Sequence, residues 1–290
     1  MFFQLFMSGL TVGSCYALVA VGFTLIFNAT HIFNFAQGEW LMVGAMLYVS
    51  MLVTAGMPFW IGITLSILIV AFVGLLFDRI IALARKNNAD TVTLIIITLA
   101  AGIVLKSIAQ RVWGELPFFS PPVLKGDPFL FLGATITFQH IFIIAIAFVV
   151  IFVLWFFFTR SLVGKATRAA AFNQETAQLM GINVRLIIAS VFALSAALSG
   201  LAGILISPLS SANTGMGISL AIKGFAAAIL GGAGSMPGAI AGGLFLGLIE
   251  AIAGRYISSG YNAAIPFLLM ILVLFVKPSG LMGKKETEKV

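Results

Sequence analysis

Apolar runs of about twenty residues recur from one end of this chain to the other, and that recurrence leaves very few folds open to it. A run of that length, wound as a helix, crosses the hydrocarbon of a bilayer. A lipid-facing backbone must satisfy its own hydrogen bonds, so only helices and closed barrels can cross. The runs here are continuous and do not alternate between apolar and polar residues, which selects helices. They lie near residues 5–26, 38–55, 58–78, 91–110, 139–159, 184–206, 218–232, 237–256 and 261–277. Hydrophobic residues make up 61 % of the 290 positions and charged residues 9 %, far from the balance of a soluble domain. The expectation is an all-α, polytopic membrane protein of about eight or nine transmembrane helices, some discontinuous, in a single domain spanning residues 1–290. Nine full spans and eight spans with re-entrant pieces are both open, because 218–243 is unusually rich in Gly and Ala.

The formal charge of +7 does not point to nucleic acid, because the basic residues form no stripe interleaved with exposed aromatics. They sort by side instead. Arg79, Arg85 and Lys86 fall in one connection, Arg160, Lys165, Arg168 and Arg185 in another, and Lys277, Lys284, Lys285 and Lys289 at the tail. These segments are expected to be cytoplasmic, with the N-terminus outside and the C-terminus inside. Residues 111–138, with Ser120-Pro121-Pro122 and Gly126-Asp127-Pro128, are expected to form a structured external loop. Met1 to Thr30 has no Lys or Arg and reads as a retained first span, not a cleaved signal. The single Cys15 offers neither a disulfide partner nor a metal cluster.

Two segments read as breaks between helices. In Asn28 to Glu39 the candidates are Asn28, Asn34, Gln37 and Glu39; in Gly231 to Gly238 they are Gly231, Gly232 and Gly234. Unpaired backbone at membrane depth is tolerated where protein or water satisfies it, and a translocation path is one reason for it. Tight turns and small residues that let helices approach closely are the other. Charged residues near predicted spans include Lys106, Lys223, Glu250 and Arg255. Each is either functional or, for Lys106, Glu250 and Arg255, close enough to a span end to snorkel. Enzyme constellations are missing: His31 and His140 are isolated, and the chain has no HExxH, GxSxG or P-loop pattern. No resident cofactor or metal is therefore expected.

The longest polar interruption is residues 160–185. Within it Ala169, Phe172, Thr176, Leu179 and Met180 follow at helical spacing, with Lys165, Arg168, Gln174, Glu175 and Gln178 on other faces. The pattern predicts a short amphipathic helix, with Gly164 as a bend at its start and Gly181 as a left-handed stop. Such a helix either offers its apolar stripe to a partner or lies flat on membrane lipid.

The stretch GKATRAAAFNQETAQLMGIN, from Gly164 to Asn183, resembles the cytoplasmic loop of LivH-type permease subunits of bacterial ATP-binding cassette (ABC) importers for branched-chain amino acids. GLTVGSCYALVAVGFTLIF from Gly9, NFAQGE from Asn34, KGFAAAILGGAGSMPGAIAGG from Lys223 and the tail KPSGLMG agree with the same family; Gln37 departs from it where relatives often carry His. The resemblance implies an ABC importer permease fold in the bacterial inner membrane. It also implies a second, LivM-type permease, two cytoplasmic ATPases and a periplasmic substrate-binding protein. Gly164 to Gly181 would be the coupling helix, with Arg168 and Glu175 at its rim and Phe172, Leu179 and Met180 packing into an ATPase. The chain itself would be no enzyme. Leu, Ile and Val are the implied cargo; urea, short amides or other neutral amino acids are alternatives, and an ion-coupled secondary transporter is the rival class.

Overall fold

A computed structural model describes residues 2–123, 126–131, 134–257, 260 and 264–283. Lys284, Lys285 and Lys289 lie outside the described residues. Helix α1 (Phe2–Thr30) is followed by α2 (Gln37–Val49), which runs into one π-helical turn at Ser50–Thr54. Next come α3 (Phe59–Lys86), α4 (Thr91–Trp113), a hairpin of β1 (Phe129–Phe131) and β2 (Ala134–Ile136), and α5 (Phe138–Arg160). The short pair α6 (Leu162–Phe172) and α7 (Gln174–Leu179) precedes α8 (Val184–Ser210), α9 (Met216–Gly231), α10 (Met236–Tyr256) and α11 (Ile265–Val276).

Among the described residues every apolar run is helical, but the helices differ in reach. Six of them (α1, α3, α4, α5, α8 and α10) have the length and apolarity to cross a membrane, while α9 and α11 are shorter apolar helices. At 1.5 Å per residue the 16 residues of α9 cover about 24 Å, less than the ~30 Å hydrocarbon layer. Helix α3 also outruns its predicted span: it continues to Lys86, so Arg79 and Arg85 belong to the helix and not to a connection.

Burial divides the helices into two groups. Helices α1, α2 and α8 form the centre, where Tyr16, Phe23, Trp40, Tyr48 and Phe192 are fully enclosed. Helices α3, α4, α5 and α11 turn Leu68, Ile103, Phe152 and Phe275 outward, as lipid-facing helices should. Water drives no association between helices inside a bilayer, so contact depends on close backbone approach. A β-carbon at Gly243 would run into the backbone of Ala17, and one at Gly247 into that of Gly13, which fixes α10 along α1. Gly44 meets Gly200 in the same way where α2 crosses α8.

The two ends of the bundle are distinct. At one end Gln4 and Thr135 exchange two hydrogen bonds (3.1 and 2.7 Å), which tie the hairpin to the start of α1, and Phe118 pairs with Ala212. The connection between α4 and α5, expected to be an external loop, lies at this end. The opposite end gathers Arg85, Lys86, Arg160, Arg168, Arg185 and Lys277. There Arg85 Nη2 donates to Thr30 O at 2.7 Å, and Gln174 Nε2 donates to Ala29 O at 2.8 Å. Asp90, in the α3–α4 turn of that end, caps α4; the Thr93 hydroxyl and N–H hold its carboxyl below the usual range.

Candidate functional site

Helices α6 and α7 form an arm at the basic end. The sequence predicts one helix from Gly164 to Gly181, but Asn173 adopts extended backbone (φ −156°, ψ 112°) and divides it. Ser161 Oγ accepts from Gly164 N at 2.9 Å and Asn173 Oδ1 from Thr176 N at 2.9 Å, so each half carries its own N-cap. Gly164 is not the expected bend: it sits inside α6, where a β-carbon would strike the backbone of Phe158. Gly181 does end the arm in the left-handed conformation (φ +80°).

The arm rests on the bundle by its small residues. Gly164, Thr167, Ala170 and Ala177 are buried, and the two alanines pack with Val184 and Ile187. Phe172, Leu179 and Met180 face the other way and are 87, 88 and 79 % exposed. Three large apolar side chains exposed together on a capped arm form a patch that needs a cover. Glu175 stands exposed beside them. Arg168 turns back toward the bundle instead, donating to Phe158 O and lining a cavity of about 550 Å³ together with Asn28 and Trp155.

The break after α1 folds inward. His31 ends α1 in a left-handed conformation (φ 57°), exposed, with its ring edge-on to Phe27. Asn34 Oδ1 accepts from Ala36 N at 3.1 Å to start α2 deep in the bundle. Gln37 is fully buried: its Nε2 donates to Ser199 Oγ at 2.6 Å and its Oε1 accepts from Ser195 Oγ at 2.9 Å, joining α2 to α8 and, through Ser195, to Gly22 O of α1. Glu39 lies in the first turn of α2 against Gly217, the second residue of α9, and against Gly102 of α4. Glu39 Oε2 and Asn34 Nδ2 have no hydrogen-bond partner among the described residues. The two short helices, α2 and α9, thus start face to face inside the bundle.

The second break is a clamp. Gly231 presses on Gly238, Gly232 ends α9 at φ +106°, and Gly234 turns at φ +85° with its carbonyl accepting from Asn28 Nδ2 at 3.0 Å. Residues of the KPSGLMG tail complete it, with Leu281 N donating to Leu230 O at 2.8 Å and Met282 N to Gly231 O at 2.9 Å. Asn28 and Gly234, separate in sequence, therefore share one contact.

Sequence reasoning missed one cluster. Glu250 does not reach out to solvent: it is 8 % exposed and forms an ion pair with Lys223 across α9 and α10. Tyr16, halfway along α1, accepts from Lys223 Nζ at 3.0 Å and donates to Glu250 Oε2 at 2.8 Å. The signal was present as two opposite charges in successive apolar helices, but pairing them needs the α9–α10 turn angle. Arg255, by contrast, is exposed, and Lys106 is half-buried on α4.

Comparison with known proteins gives a consistent picture. A family described as the permease component of branched-chain amino acid transport systems matches residues 5–274. The chain is 34 % identical over 305 aligned positions to the high-affinity branched-chain amino acid transport system permease protein LivH of Salmonella typhimurium, covering 100 % of this chain and 98 % of that one. It is also 34 % identical over 303 positions to BraD of Pseudomonas aeruginosa, with the same coverage. The ribose import permease protein RbsC of Haemophilus influenzae is 29 % identical over 276 positions, 93 % of this chain and 83 % of that protein. Among solved structures, PsaBC from Streptococcus pneumoniae in complex with Fab aligns with a TM-score of 0.52 over 94 % of this chain and 91 % of that chain at 17 % identity, a likeness of fold.

Proposed function

This chain belongs to the family of branched-chain amino acid transport system permease components, and from that membership we propose that it is one permease of an ABC importer carrying leucine, isoleucine and valine across the bacterial inner membrane. Its partners in this reading are a second related permease, two cytoplasmic ATPases and a periplasmic binding protein. ATP is hydrolysed by the ATPases. The basic end of the bundle is cytoplasmic, as the positive-inside rule requires, and the hairpin end with the N-terminus faces out.

The observation that carries the reading is the arm. A permease without a nucleotide site of its own must receive mechanical work through a protein contact. Residues α6–α7 present Phe172, Leu179 and Met180 away from the membrane body while the opposite face anchors to α8 and α1. Closing the ATPases would move the arm as a unit and, through Gln174 and the α5–α6 junction, the helices behind it. The short helices α2 and α9 are the natural moving parts, and Asn34, Gln37 and Glu39 on one side with Gly231, Gly232 and Gly234 on the other flank the route. With α2, α9 and α11 too short to span alone, the six long helices fit eight or nine membrane-crossing segments, some of them discontinuous.

Purification of the tagged chain in mild detergent, from cells expressing the neighbouring transport proteins, is expected to bring down the second permease and the ATPases, with ATP-dependent leucine uptake after reconstitution with binding protein. Leucine uptake that persists without ATP and without binding protein would instead support an ion-coupled carrier. Uptake of urea or an amide in place of leucine, set by the binding protein supplied, would move the substrate but keep the machine.

A further inference from the structure

The Lys223–Glu250 pair borders empty space. A cavity of about 560 Å³ lies between α1, the end of α8, the start of α9 and α10, and both charged side chains stand in its wall. Val12, Ile206, Leu209, Met216 and Leu220 supply its apolar lining, and Ser210, Asn213 and Ser219 supply its polar rim toward the hairpin end. Its size falls within the range of pockets that hold small organic ligands. The charged end is held in place on every side: Lys223 Nζ donates to Glu250 Oε1 and to Tyr16 OH, and lies 5.4 Å from the Tyr16 ring centroid, while Tyr16 OH donates to Glu250 Oε2.

A buried ion pair is a poor stabiliser, because apolar side chains of the same volume hold a fold as well or better. In a membrane helix, charges are kept where they serve a path or a ligand. A sealed pair would satisfy a structural role, yet this one faces a cavity large enough for an amino acid. We propose that this cavity is a binding site for the zwitterionic amino acid on its way through the permease, with Lys223 taking the α-carboxylate, Glu250 the α-ammonium group, and the Ile206, Leu209 and Leu220 wall the branched aliphatic side chain. Charge balance favours this class of ligand. Pair and zwitterion are each neutral, so the ligand opens the ion pair and replaces each contact with an equivalent one, and no net charge enters the bilayer. A simple carboxylate or amine would leave one protein charge buried and unpartnered. Tyr16, hydrogen-bonded to both groups, keeps them oriented as the pair opens. Met216 of the cavity wall is followed in α9 by Gly217, against which the Glu39 side chain packs.

The inference rests on the importer reading, and the two can fail separately. In proteoliposomes holding the whole complex and binding protein, a neutral double variant, Lys223→Met with Glu250→Gln, avoids leaving a lone charge. It is expected to assemble and to keep binding-protein-stimulated ATP hydrolysis within about twofold of wild type, while leucine uptake falls at least about tenfold. The charge-reversed variant, Lys223→Glu with Glu250→Lys, restores a pair but presents it to the zwitterion with the wrong polarity, and uptake is expected to stay low. Wild-type uptake in either variant overturns the proposal, since the pair is then structural. Independently of variants, a leucine analogue with a diazirine in its side chain, photolysed in the wild-type complex, is expected to label peptides containing Leu209 or Leu220, with labelling competed by leucine. Labelling confined to other segments, or not competed, counts equally against it. A complex that imports no leucine in any form would instead defeat the importer reading itself.

Discussion

Gln37 is a single side chain on which three helices depend. Its amide pairs with Ser195 and Ser199 of α8, and Ser195 reaches the Gly22 carbonyl of α1, all within a fully buried volume. Replacing Gln37 by Leu leaves two hydroxyls without those partners. Each unsatisfied buried group costs on the order of 1–3 kcal/mol, partly recovered if the serines turn to their own helix carbonyls. Gln37→Leu is therefore expected to lower the thermal midpoint of the detergent-purified protein by several degrees, measurable by fluorescence-detected unfolding, and to slow leucine uptake with it. Asn34→Leu disturbs only the turn that starts α2 and is expected to affect uptake more than stability, if the route passes this break. A Gln37→Leu protein with an unchanged midpoint and unchanged uptake would remove residue 37 from both roles.

Among the elements, the α6–α7 arm has the clearest division of labour. Small residues face the bundle, where only small residues fit beneath a helix lying across others, and the large apolar ones point outward. The caps at Ser161 and Asn173 hold the two short helices that would not persist alone. Burying a large apolar side chain in a partner's cleft is worth about 1.5–3 kcal/mol, so two aspartates in its place remove a large share of the contact. Phe172→Asp with Leu179→Asp is expected to leave the purified permease folded, since both positions are exposed, and to abolish stimulation of ATPase activity by loaded binding protein. Full stimulation in that variant would show that the arm is not the coupling element.

For the whole molecule, the fold sets two chemically different ends across one apolar body, and the orientation of those ends is testable directly. Cys15 is buried within α1, so a Cys15→Ser background carries no competing thiol. A cysteine at Phe172 is expected to react with a membrane-impermeant maleimide only in inside-out vesicles, and one at Leu130, 79 % exposed in the hairpin, only in intact spheroplasts. Both residues reacting from the same side would overturn the arrangement of helices as well as its orientation.

The apolar runs were enough to fix a helical membrane protein, because a bilayer leaves a long apolar segment no other way to satisfy its backbone. Helix positions, the two breaks and the apolar set of Phe172, Leu179 and Met180 all followed from local spacing and from residues with local conformational preferences. Tertiary structure alone decided which helices are long enough to cross, that α3 runs on to Lys86, that the arm is split at Asn173, and that Gly164 serves close packing and not a bend. It also decided the partners of the buried polar groups. Asn28 with Gly234, Gln37 with Ser195 and Ser199, and Lys223 with Glu250 and Tyr16 join residues far apart in the chain, and their distances depend on how the helices cross. Sequence spacing encodes what one helix presents; only the packing of several determines which of those groups meet.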